Sequence, residues 1–316
     1  MDLHKFNSSP SAFFLIGIPG LEDVHPWMGV SFCAMYLVAL LGNCTLLLTI
    51  QLVHTLHHPM FYFLGMLGII DLVMATSVVP KMLSIFWMGS QEIGFDACFI
   101  QMFLIHSITA VESGVLLAMA FDRYVAICHP LRYEAILTSQ RVAQIGLAIL
   151  ARGILFMVPL TWMMRRLPYC TSKQISHSYC EHMAVMKLAC ADSSASSIYS
   201  TVGSTLIVGI DTAFIALSYG LILRAVAKCT EQTEMLKAFS TCSAHIGVML
   251  LYYLPGMASI YIQCFPQGVP PHVQVLLADL YLSLPPMLNP IIYSIRMKQV
   301  REALVKLLPF LRGPVG

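Results

Sequence analysis

Charge is what this sequence has least of. Only 11% of its 316 residues are Asp, Glu, Lys or Arg, where a soluble domain carries roughly a quarter. With 58% hydrophobic residues, the chain cannot cover a soluble surface of its size and reads as a membrane protein. A basic block is missing as well, and a net charge of +2 gives no reason to expect nucleic acid as a partner. Met1–Pro26 has no basic region followed by an apolar core, so no cleaved signal peptide is read there. The first apolar segment is then expected to direct its own insertion. Neither His-Glu-x-x-His nor Gly-x-Ser-x-Gly occurs, and no coherent Ser/His/Asp set is visible, which argues against an enzyme. His245, close to Ser240 and Ser243, sits where packing or gating is the more ordinary role. Duplicated halves are absent too, and this weighs against the main alternative, a membrane transporter of a small organic solute. Without any low-complexity linker, residues 1–316 read as one domain.

What the chain does have is long apolar runs. A helix crosses a ~30 Å hydrocarbon layer with about 20 such residues. Seven segments qualify: Trp27–Val53, Met60–Met88, Phe99–Cys128, Val142–Met164, Ser197–Ala227, Ala238–Phe265 and His272–Ile295. Irregular backbone is not tolerated against lipid, so each is predicted to be a helix. The fold class is an all-α membrane protein, a seven-transmembrane helix bundle with a short amphipathic cytoplasmic helix. Residues 1–26 are expected outside, helices 1–7 within 27–295, and the amphipathic helix and tail in 296–316. Orientation follows from basic residues in the loops. With the N-terminus outside, eleven Lys and Arg fall on the cytoplasmic side against six outside, and Arg152 is left within a span. The sequon Asn7-Ser8-Ser9 would then be open to glycosylation. Asn43-Cys44-Thr45 matches the same pattern but lies inside the first helix. Basic Arg296, Lys298, Arg301 and Lys306 alternate with Val300, Leu304, Leu307 and Leu308, which reads as an interfacial helix on an anionic inner leaflet.

Ten cysteines are present. Cys98, Cys170, Cys180 and Cys190 fall on the proposed outer side, where disulfides persist, and four cysteines allow three pairings. Two crosslinks would turn the long loop Arg165–Ser196 into a stapled lid over the bundle. His177, Glu181 and His182 flank Cys180, yet a structural metal site would need its thiolate free. They are therefore read as solvated loop residues, and no metal is expected. Ionisable residues inside the membrane are costly and usually functional. Asp71, Glu112, Arg152, Asp211 and Asp279 are such residues here. Asp71 and Glu112 lie at similar depth and would share a sodium ion, or else hydrogen-bond Asn43, Ser113 and Asn289. Arg152 is expected to snorkel or meet a phospholipid, Asp211 to bond neighbouring helices, and Asp279 to lie near a ligand cavity. Pro255, Pro285, Pro286 and Pro290 interrupt helices 6 and 7 and give that pair a place to hinge.

Two longer strings narrow the reading: Met119-Ala-Phe-Asp-Arg-Tyr-Val-Ala-Ile-Cys-His-Pro-Leu-Arg-Tyr133 and Lys237-Ala-Phe-Ser-Thr-Cys-Ser-Ala-His245. Together with Pro59-Met-Phe-Tyr-Phe-Leu64, Ser218-Tyr219 and Pro286-Met-Leu-Asn-Pro-Ile-Ile-Tyr293, they resemble the odorant receptors among rhodopsin-like G-protein-coupled receptors. His177-Ser-Tyr-Cys-Glu-His182 and the long second outer loop are similar to the fish-like class I branch. The likeness runs from about Phe13 to Leu308. It implies disulfides Cys98–Cys180 and Cys170–Cys190. Asp122 is implied to hold Arg123, beside Tyr124, until activation releases it toward a heterotrimeric G protein of the stimulatory olfactory type. Tyr219, His245 and Tyr293 would act at the same inner end.

The resemblance also implies an odorant pocket between helices 3, 5 and 6 under the lid. His106, Thr109, Ser200, Gly203, Ser204, Tyr253, Ile260 and Cys264 are the positions that would line it, with Tyr261 nearby. Receptors of this branch that take carboxylic acids resemble one another in a basic residue near the outer end of helix 6. Cys264 stands at the matching position here, and an unpaired buried carboxylate is expensive. The expected ligand is a small, mainly apolar volatile, or a carboxylic acid anchored by His106 or Lys187. Membrane lipids are the remaining partner, and no cofactor is expected beyond sodium.

Overall fold

In lipid a backbone finds hydrogen-bond partners only within its own segment, so apolar runs of this length close on themselves as helices. The computed structural model describes residues 10–170, 172–227, 232–264 and 268–311; the side chains of residues 232–241, 260, 263, 264 and 307–311 lie outside that description. The sequon at Asn7 also falls outside the described residues. Among the described residues the α-helices are α1 His25–Leu52, α2 Pro59–Met88, α3 Phe95–Cys128, α4 Tyr133–Ile136, α5 Ser139–Arg165, α6 His182–Met186, α7 Ser194–Val226, α8 Gln232–Cys264, α9 Pro271–Arg296 and α10 Lys298–Leu311. Six of them are long and apolar enough to span a membrane among the described residues. The 33-residue α8 completes the seven-transmembrane bundle. Local chemistry sets several ends. Pro59 opens α2 at a position where its missing N–H costs nothing, and the Thr138 hydroxyl accepts the Arg141 N–H to cap α5.

All seven predicted segments are helical over their described residues, with their ends shifted; Phe265, the predicted end of the sixth, lies outside them. α3 starts at Phe95 instead of Phe99, directly after a short strand, and α8 starts at Gln232 instead of Ala238. A helix has no reason to stop where hydrocarbon stops, so the polar Gln232–Lys237 turns extend α8 beyond it. The buried α3 is the centre of the bundle and packs against α2, α5, α7 and α8; α1 packs on α2 and α9, and α8 on α9. α10 lies across the ends of α1 and α9, with Val300 and Ala303 buried in the same cluster as Ile50, Leu56 and Tyr293.

At the opposite end of the bundle from α10 sits the lid, and part of the N-terminal segment is built into it. Ala12–Leu15 forms β1, the centre of a three-stranded sheet. It pairs antiparallel with β2 (Glu92–Gly94), Phe13 opposite Ile93, and parallel with β3 (Gln174–Ile175), Leu15 opposite Ile175. Phe13, Leu15 and Ile18 are fully buried, each contributing about 1.5–3 kcal/mol of burial. Past the strand the chain turns at Gly17, where φ is +84° and a Cβ would lie 2.8 Å from the His25 ring; only glycine fits both conditions. The lid's second anchor is covalent. Cys98–Cys180 ties it to α3 and Cys170–Cys190 closes it on itself, the pairing implied by the resemblance.

Candidate functional site

Beneath the lid, α3 turns His106 toward His182, the first residue of α6, with ring centroids 6.3 Å apart and edge to face. The Nε2 atoms of both rings are buried and without a hydrogen-bond partner. His182 follows the disulfide Cys180 by two residues, so the covalent tie to α3 is what brings it there. Around it the lid is dry. His177, Ser178, Tyr179, Glu181 and His182 are all buried, which corrects the expectation of solvated loop histidines. Their polar atoms are partly spoken for: Glu181 caps α6 by accepting the Ala184 N–H at 2.6 Å, and the Ser178 hydroxyl donates to Asp279 on α9 at 2.8 Å. Gln101 on α3 accepts the Cys180 N–H at 3.0 Å and donates to the Ser77 carbonyl. Asp279 is thus a staple between lid and bundle rather than a wall of a ligand cavity.

Burial holds His177 down at about 3, helped by Lys187, and His182 down at about 4. Both rings stay neutral in the folded lid but take up protons in an opened one near the ordinary value of about 6.5. Between those values the open lid binds more protons than the closed lid, so lid stability falls as pH falls. Burial raises Glu181, which acts with the opposite sign as its carboxyl protonates; two imidazoles against one carboxyl leave the histidines in control. Hydrogen exchange over 174–186, corrected for intrinsic rates, should therefore be faster at pH 5.5 than at pH 7.5. The difference should vanish or change sign in a His177→Phe/His182→Phe variant, where only Glu181 is left.

The other positions expected in the pocket divide into several groups. Thr109 lines an internal void with Met74, Glu112, Tyr281, Leu282, Pro285 and Pro286; its interatomic space totals about 170 Å³ and admits no water-sized sphere. Ser200 and Ser204 spend their hydroxyls on carbonyls of their own helix, at 3.0 and 3.2 Å. Gly203 lies so close to the Phe156 ring that it serves α5–α7 packing. Tyr261 is two-thirds exposed on the bundle's outside. Ile260 and Cys264 have side chains outside the described residues. The void at Thr109 is smaller than ligand-sized pockets, which occupy roughly 300–1,000 Å³.

Mid-bundle, Arg152 does not snorkel. Its guanidinium grips Asp211 with both ends, Nη1 donating to Oδ1 at 2.7 Å and Nη2 to Oδ2 at 2.8 Å, and Nη2 also reaches the Ala110 carbonyl. The Ser113 hydroxyl donates to Asp211 at 2.7 Å and lies 3.0 Å from the Tyr253 hydroxyl. One chain of contacts therefore joins α5, α7, α3 and α8. Tyr253 belongs to this network, not to a pocket wall. Asp71 accepts two hydrogen bonds from the Asn289 amide at 3.1 Å. Asn43 instead donates to the Ala39 and Pro286 carbonyls, and Ser113 serves Asp211 instead of Glu112, so two expected partnerships are replaced. The Glu112 Oε1 is buried and unpartnered.

At the α10 end, Asp122 accepts from Arg123 (Nε at 3.0 Å, and Nη2) and from the Tyr133 hydroxyl at 2.7 Å. Tyr124 meets His129 at 3.2 Å, and the Tyr219 hydroxyl lies 2.7 Å from His245 Nδ1. The Tyr293 hydroxyl is buried without a partner.

Residues 32–310 match the family model described as olfactory receptor. The chain is 55% identical over 297 residues to olfactory receptor 52I1 of Homo sapiens, covering 94% of this chain and 92% of that one. It is 49% identical to olfactory receptor 52K1 of Homo sapiens (95% and 96% covered) and 49% identical to olfactory receptor 51E2 of Rattus norvegicus (93% and 92%). The chain belongs to the olfactory receptor family. It is therefore a rhodopsin-like G-protein-coupled receptor and a multi-pass membrane protein. In this receptor the Asp-Arg-Tyr stretch is fastened at the α10 end, while the lid histidines lie at the other. Sequence reasoning named His106 but not the His182 ring it lies against, nor the Arg152–Asp211 pair or the Ser178–Asp279 staple. The signal for the pair was present: two opposite charges stranded in spans need each other.

Proposed function

We propose that the receptor takes a small volatile odorant beneath its lid and passes the signal to a stimulatory, olfactory-type G protein at the α10 end, raising cyclic AMP. The reading places the lid and N-terminus outside a plasma membrane and α10 in the cytoplasm, as the basic-residue count suggests. The observation that carries it is the ring contact between His106 and His182, each with a buried Nε2 that has no hydrogen-bond partner. A neutral imidazole offers one donor and one acceptor, so the pair suits an alcohol, ketone or ester oxygen on an apolar body. A carboxylate would need a charged partner, which His182, held neutral by burial, does not supply. Arg123, held by Asp122 in this closed form, is the group that opening would release to the G protein. An agonist need only prefer the open form; about 5.5 kcal/mol swings a two-state balance from 1:99 to 99:1. Asp71 and Glu112, with the orphan Oε1 of the latter, offer the hard oxygen ligands a sodium ion takes. They would hold it where its single positive charge offsets one of two buried acids, the other staying protonated.

Reporter cells co-expressing the receptor and the stimulatory G protein test this with acids set against matched alcohols and ketones. Neutral ligands are expected to raise cyclic AMP, with roughly tenfold lower potency after His106→Phe, the loss of about one good hydrogen bond. Arg123→Ala should abolish the response at equal surface expression. Activation by acids alone would sink the neutral-ligand reading, and solute flux without any G protein would favour a transporter.

A further inference from the structure

Where α1 and α9 meet, Pro290 lies so close to Gly42 that a Cβ there would stand 2.8 Å from the proline Cγ. From this pinch toward α10 runs an open groove of about 360 Å³, floored by Leu46 and Ser294 and rimmed by Leu41, Ile291 and Ile295. All three rim residues are exposed apolar side chains, so the groove opens away from the bundle interior, into hydrocarbon. Its α10 end is cationic. Arg301 reaches back so that Nη1 lies 3.5 Å from the carbonyl of Ile295, a rim residue, and Arg296 follows Ile295 directly. Both arginines are exposed, and neither forms an ion pair among the described residues, whereas nearby Lys298 is paired with Glu302 at 3.6 Å. Capping the end of α9 is the plainer role for Arg301. It occupies one of five guanidinium donors and leaves the rest free.

We propose that this groove is a binding site for an anionic phospholipid, one acyl chain lying between α1 and α9 and the phosphate held by Arg301 and Arg296. An acyl chain gains little by exchanging lipid neighbours for an apolar groove, so selectivity has to come from the head. Guanidinium matches phosphate bidentately, and a sterol brings no anion to the arginines. The arginines stand at the end of the groove where headgroups lie, so one molecule can satisfy both. In the orientation proposed above this is the cytoplasmic leaflet, whose anionic lipids are drawn to basic segments near the membrane.

The full-length receptor, extracted from vesicles of phosphatidylcholine, phosphatidylserine and cholesterol, can be examined by native mass spectrometry. Retained phosphatidylserine is expected, falling at least tenfold relative to phosphatidylcholine in an Arg296→Ala/Arg301→Ala variant. Ser294→Phe, which fills the groove without touching charge, should remove it as well. Should that variant not fold, Ser294→Leu takes its place. Lys306→Ala should leave the adduct unchanged. The proposal is overturned if the arginine variant keeps the lipid, if Lys306→Ala loses as much (diffuse surface charge only), or if the species displaced by Ser294→Phe is cholesterol.

Discussion

Arg152→Ala should destabilise the receptor more than Asp211→Ala, although the two remove halves of one ion pair. Both leave a charge inside the membrane, and breaking a buried pair from one side costs about 3–5 kcal/mol. The asymmetry comes from exposure. The Arg152 side chain is 33% exposed, so without Asp211 it can still find water or a headgroup, and its cost belongs at the low end of that range or below. Asp211 is 1% exposed and has no such escape. An Arg152→Met/Asp211→Leu double variant should recover most of the thermal stability, because well-packed apolar replacements of a buried pair are often neutral or better. It should not recover signalling. Ser113 and, through it, Tyr253 on α8 would lose the carboxylate that fixes them to α3 and α7. Thermal unfolding of the four proteins with cyclic AMP readout separates the two effects. Equal stability of Arg152→Ala and the parent would mean that Arg152 faces lipid after all.

That pair also shows where sequence stops being readable. Arg152 and Asp211 are both visible as misplaced charges, but they sit 59 residues apart on different helices, and helix rotation about the bundle is set by packing that no local pattern states. The spans themselves were legible because hydropathy over twenty residues is a sum, insensitive to neighbours. β1 was not. Ala12–Leu15 is four residues long, and its partners at Glu92–Gly94 and Gln174–Ile175 come from distant loops, so neither periodicity nor turn chemistry announces the pairing. His182 was misread for a related reason. Its polar neighbours suggest water, while its burial is dictated by the bond from Cys180 to α3. The Asp122–Arg123 contact was legible because the two residues are adjacent, and it needs no tertiary information. The α7 positions expected in the pocket were legible as polar but not as satisfied: Ser200 and Ser204 each bond a carbonyl three residues back.

Losing Cys98–Cys180 should do more damage than losing Cys170–Cys190, and of a different kind. The first joins residues 82 apart and the second residues 20 apart. Loop-closure entropy puts their contributions at about 4.5 and about 3.3 kcal/mol in the chain-entropy model. Location widens that gap. Cys170–Cys190 closes the lid on itself, and β1–β3 pairing, the Ser178–Asp279 contact and buried Phe13 and Leu15 would still hold the lid down without it. Cys98–Cys180 is the only covalent tie between the lid and α3 among the described residues, and it sets the distance from His182 to His106. Cys170→Ser/Cys190→Ser is therefore expected to lower thermal stability while keeping agonist potency within a few fold. Cys98→Ser/Cys180→Ser should lower stability further and cost potency more than tenfold in whatever folds. Measuring potency on surface-labelled cells, normalised to receptor number, distinguishes the two. Equal potency losses in both variants would mean that the lid works as a cover and that His182 contributes nothing by where it is held.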